Sequence, residues 1–306
     1  LERGLQLGDR AVALFAQGVL GITADDVIFS AAKLFFAYGL GNGMSFPMSV
    51  GATTVLLPDR PTPDGVIQTM QAHNPTIFCG VPTLFGAMLA SSALGHGAGS
   101  SRLRLCTSAG EALPEDIGMR WEKAVGTAII DGIGSTEMLH IFVSNRPGDV
   151  RYGSSGMPVP GYQARILDDA GEPVAAGEIG ELVVNGPSAA EGYWLQREKS
   201  LRTFRGAWTY TGDKYRIDAD GYYVYCGRTD DMFKVSGIWV SPFEVESALI
   251  THTSVLEAAV VGKEDTDGLM KPKAFVVLRP DASVDAQQLF EELKEHVKTS
   301  AGPWKY

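Results

Sequence analysis

Cysteine is scarce in this chain, with 3 in 306 residues, and Cys79, Cys106 and Cys226 stand too far apart to form a CxxC pair. Neither the paired thiols of a zinc site nor a disulfide framework is suggested. Cys79 and Cys106 fall inside apolar runs, where a reduced thiol packs as a small hydrophobe, and a cytoplasmic setting is expected. Basic surplus is lacking as well: 26 Lys and Arg face 36 Asp and Glu, a formal net charge of −10. Phosphate backbones and anionic lipid surfaces attract a cationic excess, so a general nucleic-acid or membrane-surface binder is excluded, while small anions stay within reach of local N–H groups. No apolar stretch reaches the roughly eighteen residues of a membrane span. The start, Leu1-Glu2-Arg3, lacks the basic-then-apolar layout of a signal peptide, and the apolar run from Ala11 breaks at Gln17. There is no initiator Met, and the chain is expected to be a piece of something longer.

What remains is an ordinary soluble composition, 45% apolar and 20% charged, in a chain long enough for two or three domains. Residues 1–151 alternate apolar runs at 26–30, 53–57, 76–80, 103–108 and 127–130 with helical patterns, the rhythm of βαβ units and a largely parallel sheet. One helix can be argued closely: over 114–124, Pro114 suits the first position, Glu115 and Asp116 complement the dipole, and Ile117, Trp121 and Ala124 share a face. Over 152–229 the rhythm changes to short strands at 163–168, 178–185, 215–218 and 222–226, separated by hairpin punctuation, which predicts a small antiparallel β-barrel with Tyr210-Thr-Gly-Asp213 between strands. Residues 230–306 read as an α+β module: Ser241-Pro-Phe-Glu244 starts a helix carrying Val245 and Leu249, strands follow at 257–262 and 273–279, and a last helix from about Asp285 aligns Leu289, Leu293 and Val297.

Chemistry gathers at the strand ends. Asp131-Gly-Ile-Gly-Ser-Thr-Glu137 follows a buried strand, so the turn brings two glycines, two hydroxyls and a carboxylate to the sheet's C-terminal edge, the usual ligand crevice. Ser135 and Thr136 can hold phosphate oxygens, and Glu137 can hold a hard cation. Ser108-Ala-Gly-Glu-Ala-Leu113 precedes a helix, exposes N–H groups and leaves room for a flat ring. Each of these strings taken alone is equally a plain glycine turn. A lone His140 in an apolar run is more often a core residue than a contact; His73, His96, His252 and His296 read as surface or loop residues without metal-ligand spacing.

Taken in order, SAGEALP (108–114), DGIGSTE (131–137), YTGD (210–213) and YCGRTDDMFKVSG (225–237) resemble the motif series of the adenylate-forming superfamily of acyl-CoA synthetases, adenylation domains and luciferases. The resemblance covers essentially the whole chain. Within it, Phe35-Phe-Ala-Tyr-Gly-Leu-Gly-Asn42 and Ser135-Thr-Glu-Met-Leu-His-Ile-Phe142 are similar to benzoate–CoA ligases in particular. It implies a two-step reaction in which ATP and an aromatic carboxylate give an acyl-adenylate and pyrophosphate, and CoA then displaces AMP. It also implies the roles. Ser108, Ala109, Gly110, Glu111 and Ala112 would wall the adenine with Asp131 and Gly132, and the nucleotide would continue along Ile133, Gly134 and Ser135 to Thr136 at the α-phosphate. Glu137 would bind Mg²⁺. Asp213 would accept from the ribose hydroxyls beside Arg228. Asp230 would be the hinge of the small domain, and Lys234, Ser236 and Gly237 would face the site during thioester formation. Ala37, Tyr38 and Gly39 would line one side of the acyl pocket, and Gly132, Gly134 and His140 the other.

Two family features are missing. The Ser/Thr/Gly-rich phosphate loop is expected before residue 1 and the C-terminal catalytic lysine after Tyr306, with Lys298 and Lys305 not assumed to replace it. Adenylation by these 306 residues alone is expected to be severely impaired. Two other readings stay open: a fragment that binds AMP or an aryl-adenylate without turnover, and an aryl loader of a carrier-protein phosphopantetheine. Ring substituents are not legible in the sequence, nor is oligomeric state, a homodimer being one open arrangement.

Overall fold

Short, buried apolar runs make the strands of the first unit. The structure, a computed structural model, describes residues 12–235, 238–265, 269–279 and 285–302. β1 (Val27–Ser30), β2 (Thr53–Leu56), β3 (Ile77–Gly80), β4 (Leu105–Ser108) and β5 (Ile129–Gly134) pair in parallel in the order β2-β1-β3-β4-β5. β6 (Ile141–Ser144) and β7 (Met157–Pro158) extend the sheet antiparallel beyond β5. β3 and β4 are buried at every position, the mark of strands covered on both faces. The parallel sheet matches the expectation, with one difference in kind: β5 runs on through Asp131 to Gly134, residues assigned from the sequence to the turn.

The helices follow their local signals. α1 (Ala37–Leu40) continues through a π-helical stretch, Gly41–Ser45, into α2 (Phe46–Val50). α3 (Pro63–His73) starts where the Thr62 hydroxyl accepts the Gly65 N–H at 3.3 Å, with Pro63 as its first residue. α4 (Pro82–Leu89) also opens on proline. α5 (Glu115–Val125) begins one residue later than expected: Pro114 has ψ 135 and caps the helix from outside. Trp121 is fully buried and Ile117 packs beside it, but Ala124 is exposed, because Val125, four residues from Trp121, takes the inward position. Phe85 meets the Trp121 ring edge-on at 4.7 Å and Phe78 at 5.5 Å, an aromatic centre for the core.

β8 (Gln163–Leu167) and β9 (Gly180–Asn185) are antiparallel. α6 (Arg197–Thr203) leads to β10 (Phe204–Arg205), antiparallel to β11 (Trp208–Ile217). With β12 (Tyr223–Arg228) on β11, these make a five-stranded sheet in the order β10-β11-β9-β8. Tyr210-Thr-Gly-Asp213 lies inside β11 and not between strands. The aromatic and β-branched residues around Gly212 favour the strand strongly enough to override the glycine as a turn signal.

The chain divides into two compact units, one of the described residues up to Thr211 together with Arg216–Tyr225, the other of Gly212–Tyr215 and the described residues from Cys226 onward. In the second, β13 (Phe233–Val235) and β14 (Ile238–Val240) form one antiparallel pair, and β15 (Val255–Glu264) and β16 (Met270–Leu278) another. Ser241 caps α7 (Pro242–Ile250), its Oγ accepting the Glu244 N–H at 3.2 Å, and Asp285 caps α8 (Ala286–Ala301). Val245, Leu249, Val260 and Val297 form its core, with Leu293 against them, as the helical register predicts. Among the described residues no helix is long and apolar enough to cross a membrane.

Because Trp121 is wholly enclosed, Trp121→Ala should cost about 3–5 kcal/mol in chemical denaturation, whereas Met119→Ala, on the exposed side of the same helix, should stay within about 0.5 kcal/mol. Equal losses at the two positions would contradict this packing.

Candidate active site

The register of β4 and β5 sets Ser108 beside Asp131 at the C-terminal end of the parallel sheet. Both are buried, and Ser108 and the backbone N–H groups of Leu113 and Gly132 surround the Asp131 carboxyl, although neither Ser108 Oγ nor Asp131 Oδ1 reaches good hydrogen-bonding geometry. A buried polar atom without a well-formed hydrogen bond costs about 1–3 kcal/mol, and two of them stand at these adjacent strand ends. Burial pushes the Asp131 carboxyl up to about 8. Ala109 is buried and Ala112 half-buried, while Gly110, at φ 94, and Glu111 are exposed. Positive φ at Gly110 bends the chain away from β4 toward α5.

β5 then turns back into β6 at very short range. A Cβ on Gly132 would stand 2.7 Å from Val143 O, and one on Gly134 would stand 2.6 Å from His140 O. The space that these glycines leave is filled by the neighbouring backbone. The turn between the strands is strained: the His140 N–H reaches Met138 O at 2.8 Å across Leu139, which has φ 68, the rare hand of a γ-turn. It delivers His140 into an aromatic nest. Tyr38 stacks on the His140 ring at 5.6 Å, Phe46 meets it edge-on at 4.5 Å, and Phe15 lies at 5.2 Å. Burial lowers the His140 pKa to about 4, so the ring is neutral at ordinary pH. Tyr38 Oη bonds to Thr107 Oγ1 at 2.6 Å, which ties α1 to β4. Ala37, Tyr38 and Gly39 therefore belong to the first turn of one helix. The sequence reading missed Thr107, 69 residues from Tyr38, and Gly41, whose absent Cβ would lie 2.5 Å from His140 Cδ2.

Glu137 is half-buried in the turn, while Thr136 beside it and Ser135 are exposed and half-buried respectively. Partial burial would raise the Glu137 pKa, but the Tyr193 hydroxyl, donating to Oε1 at 2.5 Å, acts with the Glu137 backbone N–H, Ser135 and the Lys199 ammonium, and the net shift is downward. The carboxylate is thus held anionic. Among the described residues no group of three or more His, Cys, Asp or Glu converges, so Glu137 is a lone hard donor. That fits Mg²⁺, which keeps several waters and shares itself with substrate phosphates, better than a zinc or calcium cage.

In the second unit Arg228 Nη1 donates to Asp213 Oδ1 at 2.9 Å, and the Gly212 Cβ position lies 3.1 Å from Arg228 Nη2. β11 and β12 bring this pair together from 15 residues apart. Lys234 is exposed on β13, and Asp230 occupies an exposed turn after β12. Ser236 and Gly237 lie outside the described residues.

Asp131 carries a pH signature. Its native pKa lies near 8 against about 4 when unfolded, so between those values the native state holds a proton that the unfolded chain has released, and stability falls as pH rises. Asp131→Asn removes that slope. The melting temperature of the variant relative to wild type should climb steadily from about pH 5 to about pH 8, and parallel curves would contradict the buried carboxyl.

The chain is 60% identical over 294 residues to a benzoate–CoA ligase of Thauera aromatica, and 58% identical over 297 residues to a 4-hydroxybenzoate–CoA/benzoate–CoA ligase of Rhodopseudomonas palustris. These alignments take in 96% and 97% of the chain and 55% of each relative, so the chain spans about half the length of the curated relatives it matches. A crystal structure of a benzoate CoA ligase from Burkholderia xenovorans LB400 superposes with a TM-score of 0.91 at 54% identity, covering 97% of this chain and 59% of that one. The model of the AMP-binding enzyme C-terminal domain matches residues 244–306. With the AMP-binding enzyme model itself matching residues 6–194, across the buried strand ends and the turn that carries Glu137, the chain belongs to the family of AMP-binding enzymes.

Proposed function

We propose that the protein acts as an aryl-CoA ligase, activating benzoate or a substituted benzoate with ATP and passing the acyl group to CoA in the cytoplasm. The observation that carries this reading is the pairing, within one unit, of two buried polar strand-end residues with a neutral aromatic nest. The first can take a nucleoside and the second a flat ring. The relatives named as benzoate–CoA ligases support the same choice.

In the first half-reaction the carboxylate oxygen attacks the α-phosphorus of ATP and pyrophosphate leaves with the electron pair of the broken P–O bond. Ser108 to Ala112 and Asp131 bracket the adenine, Gly132 to Ser135 run along the nucleotide, and the Thr136 hydroxyl donates to an α-phosphate oxygen. Glu137 would hold Mg²⁺, which when bound neutralises phosphate charge. His140, kept neutral by burial, and Tyr38 orient the ring without drawing the carboxylate away from its target. Ala37 and Gly39 complete that wall. Asp213 accepts from the ribose diol while Arg228 holds its carboxylate in place. In the second half-reaction the CoA thiolate attacks the acyl carbonyl and AMP departs, a step in which the resemblance gives roles to Asp230 and Lys234. The work throughout is positioning and charge neutralisation.

The direct test is benzoate-, ATP- and CoA-dependent pyrophosphate release by this polypeptide, with mass spectrometry for benzoyl-CoA. Because adenylation by these 306 residues alone is expected to be severely impaired, product is expected only slowly, and Glu137→Gln should slow its formation further, to background. A chain that is stabilised by a benzoyl-adenylate mimic yet releases no pyrophosphate is a binding domain, and one that binds neither mimic nor AMP contradicts the reading outright.

A further inference from the structure

We propose that Tyr193 is a positioning residue for Glu137, fixing the carboxylate that carries the divalent cation and so setting how much metal the protein needs to take up a nucleoside triphosphate. This rests on the ligase reading above. The phenol donates to Glu137 Oε1 at 2.5 Å from 56 residues away in sequence, beside the Ser135 hydroxyl that also bonds this carboxylate.

Both partners are themselves anchored. On the Tyr193 side, its backbone N–H donates to Ser200 Oγ at 2.8 Å, Lys199 Nζ lies 4.0 Å from the ring centroid, and the Phe204 ring packs at 5.6 Å. On the Glu137 side, Ala190 N–H donates to Glu137 O at 2.7 Å, and Ser188 Oγ donates to Met138 O at 2.6 Å. The stretch 188–200 therefore grips the metal-carrying turn at three points, of which the phenol alone touches the carboxylate. A glutamate in such a turn has three rotatable bonds, and a ligand oriented beforehand binds its metal more tightly than one that must be ordered on arrival. Backbone grips would suffice for folding. The third is aimed at the functional group.

Tyr193→Phe deletes only the hydroxyl and keeps the ring beside Lys199 and Phe204. On the 306-residue chain, calorimetry should compare AMP, which binds without metal, with a non-hydrolysable ATP analogue over a range of MgCl₂ concentrations. The expected result is unchanged AMP affinity and melting temperature, with about a tenfold rise in the Mg²⁺ concentration that half-saturates analogue binding. Glu137→Gln should raise that concentration too, and adding Tyr193→Phe to it should do nothing more, since the two act through one carboxylate. An unchanged metal requirement in Tyr193→Phe, additive effects in the double variant, or wild-type analogue binding that ignores Mg²⁺ would each overturn the proposal while leaving the ligase reading in place. Wild type that binds neither AMP nor the analogue would remove both.

Discussion

The backbones of β5 and β6 approach each other more closely than side chains allow, and much of the first unit's chemistry follows from that approach. Gly132 and Gly134 are the residues whose missing Cβ atoms make room for Val143 O and His140 O. Because the strands are so close, the connection between them is confined to Ser135–His140, and its end must close through a γ-turn at Leu139 with φ 68. That strain is offset by hydrogen bonds to Met138 O and Glu137 O from the stretch after β9. The result is a turn with few alternatives, which places a hydroxyl, a carboxylate and an imidazole within five residues. Strain held by surrounding structure at such a place is a common feature of functional sites.

Two carboxyl groups on this strand and turn are driven in opposite directions by their surroundings. Asp131 is enclosed, and burial pushes its pKa up to about 8. Glu137 is only partly enclosed, and the Tyr193 hydroxyl, its own backbone N–H, Ser135 and the Lys199 ammonium together more than offset its burial. One is therefore a neutral group able to donate at ordinary pH and the other a fixed anion suited to a cation. Environment, not residue type, divides the labour. His140 follows the same rule, since enclosure keeps it uncharged and makes it an aromatic wall.

Much of this was legible in the sequence where the cause is local. The parallel strands are short buried apolar runs, and the start of α7 follows from Ser241, Pro242 and Glu244, so both were read correctly. Glycine misled twice. At Gly132 and Gly134 it signalled a turn, whereas the reason for it is a partner strand whose closeness no local pattern records. At Gly212 it suggested a loop inside what is a ten-residue strand. The contacts that complete the site join residues far apart in sequence: Tyr38 with Thr107, Gly41 with His140, Glu137 with Tyr193. Nothing in spacing or composition links such pairs. Asp213 and Arg228 were found only through the motif series, since an isolated turn carboxylate and a surface arginine carry no signal of their own.

The central claim is that the buried strand-end pair of Ser108 and Asp131 lies at a nucleoside site. A crystal structure of the chain with a non-hydrolysable benzoyl-adenylate analogue tests this most directly. The account predicts the adenine against residues 108–112, the benzoyl ring against His140 and Tyr38, and a hydrogen bond from the ligand or a ligand-ordered water to Asp131 Oδ1. Density for the analogue elsewhere, or a bound adenine that leaves both strand-end atoms unpartnered, would contradict it.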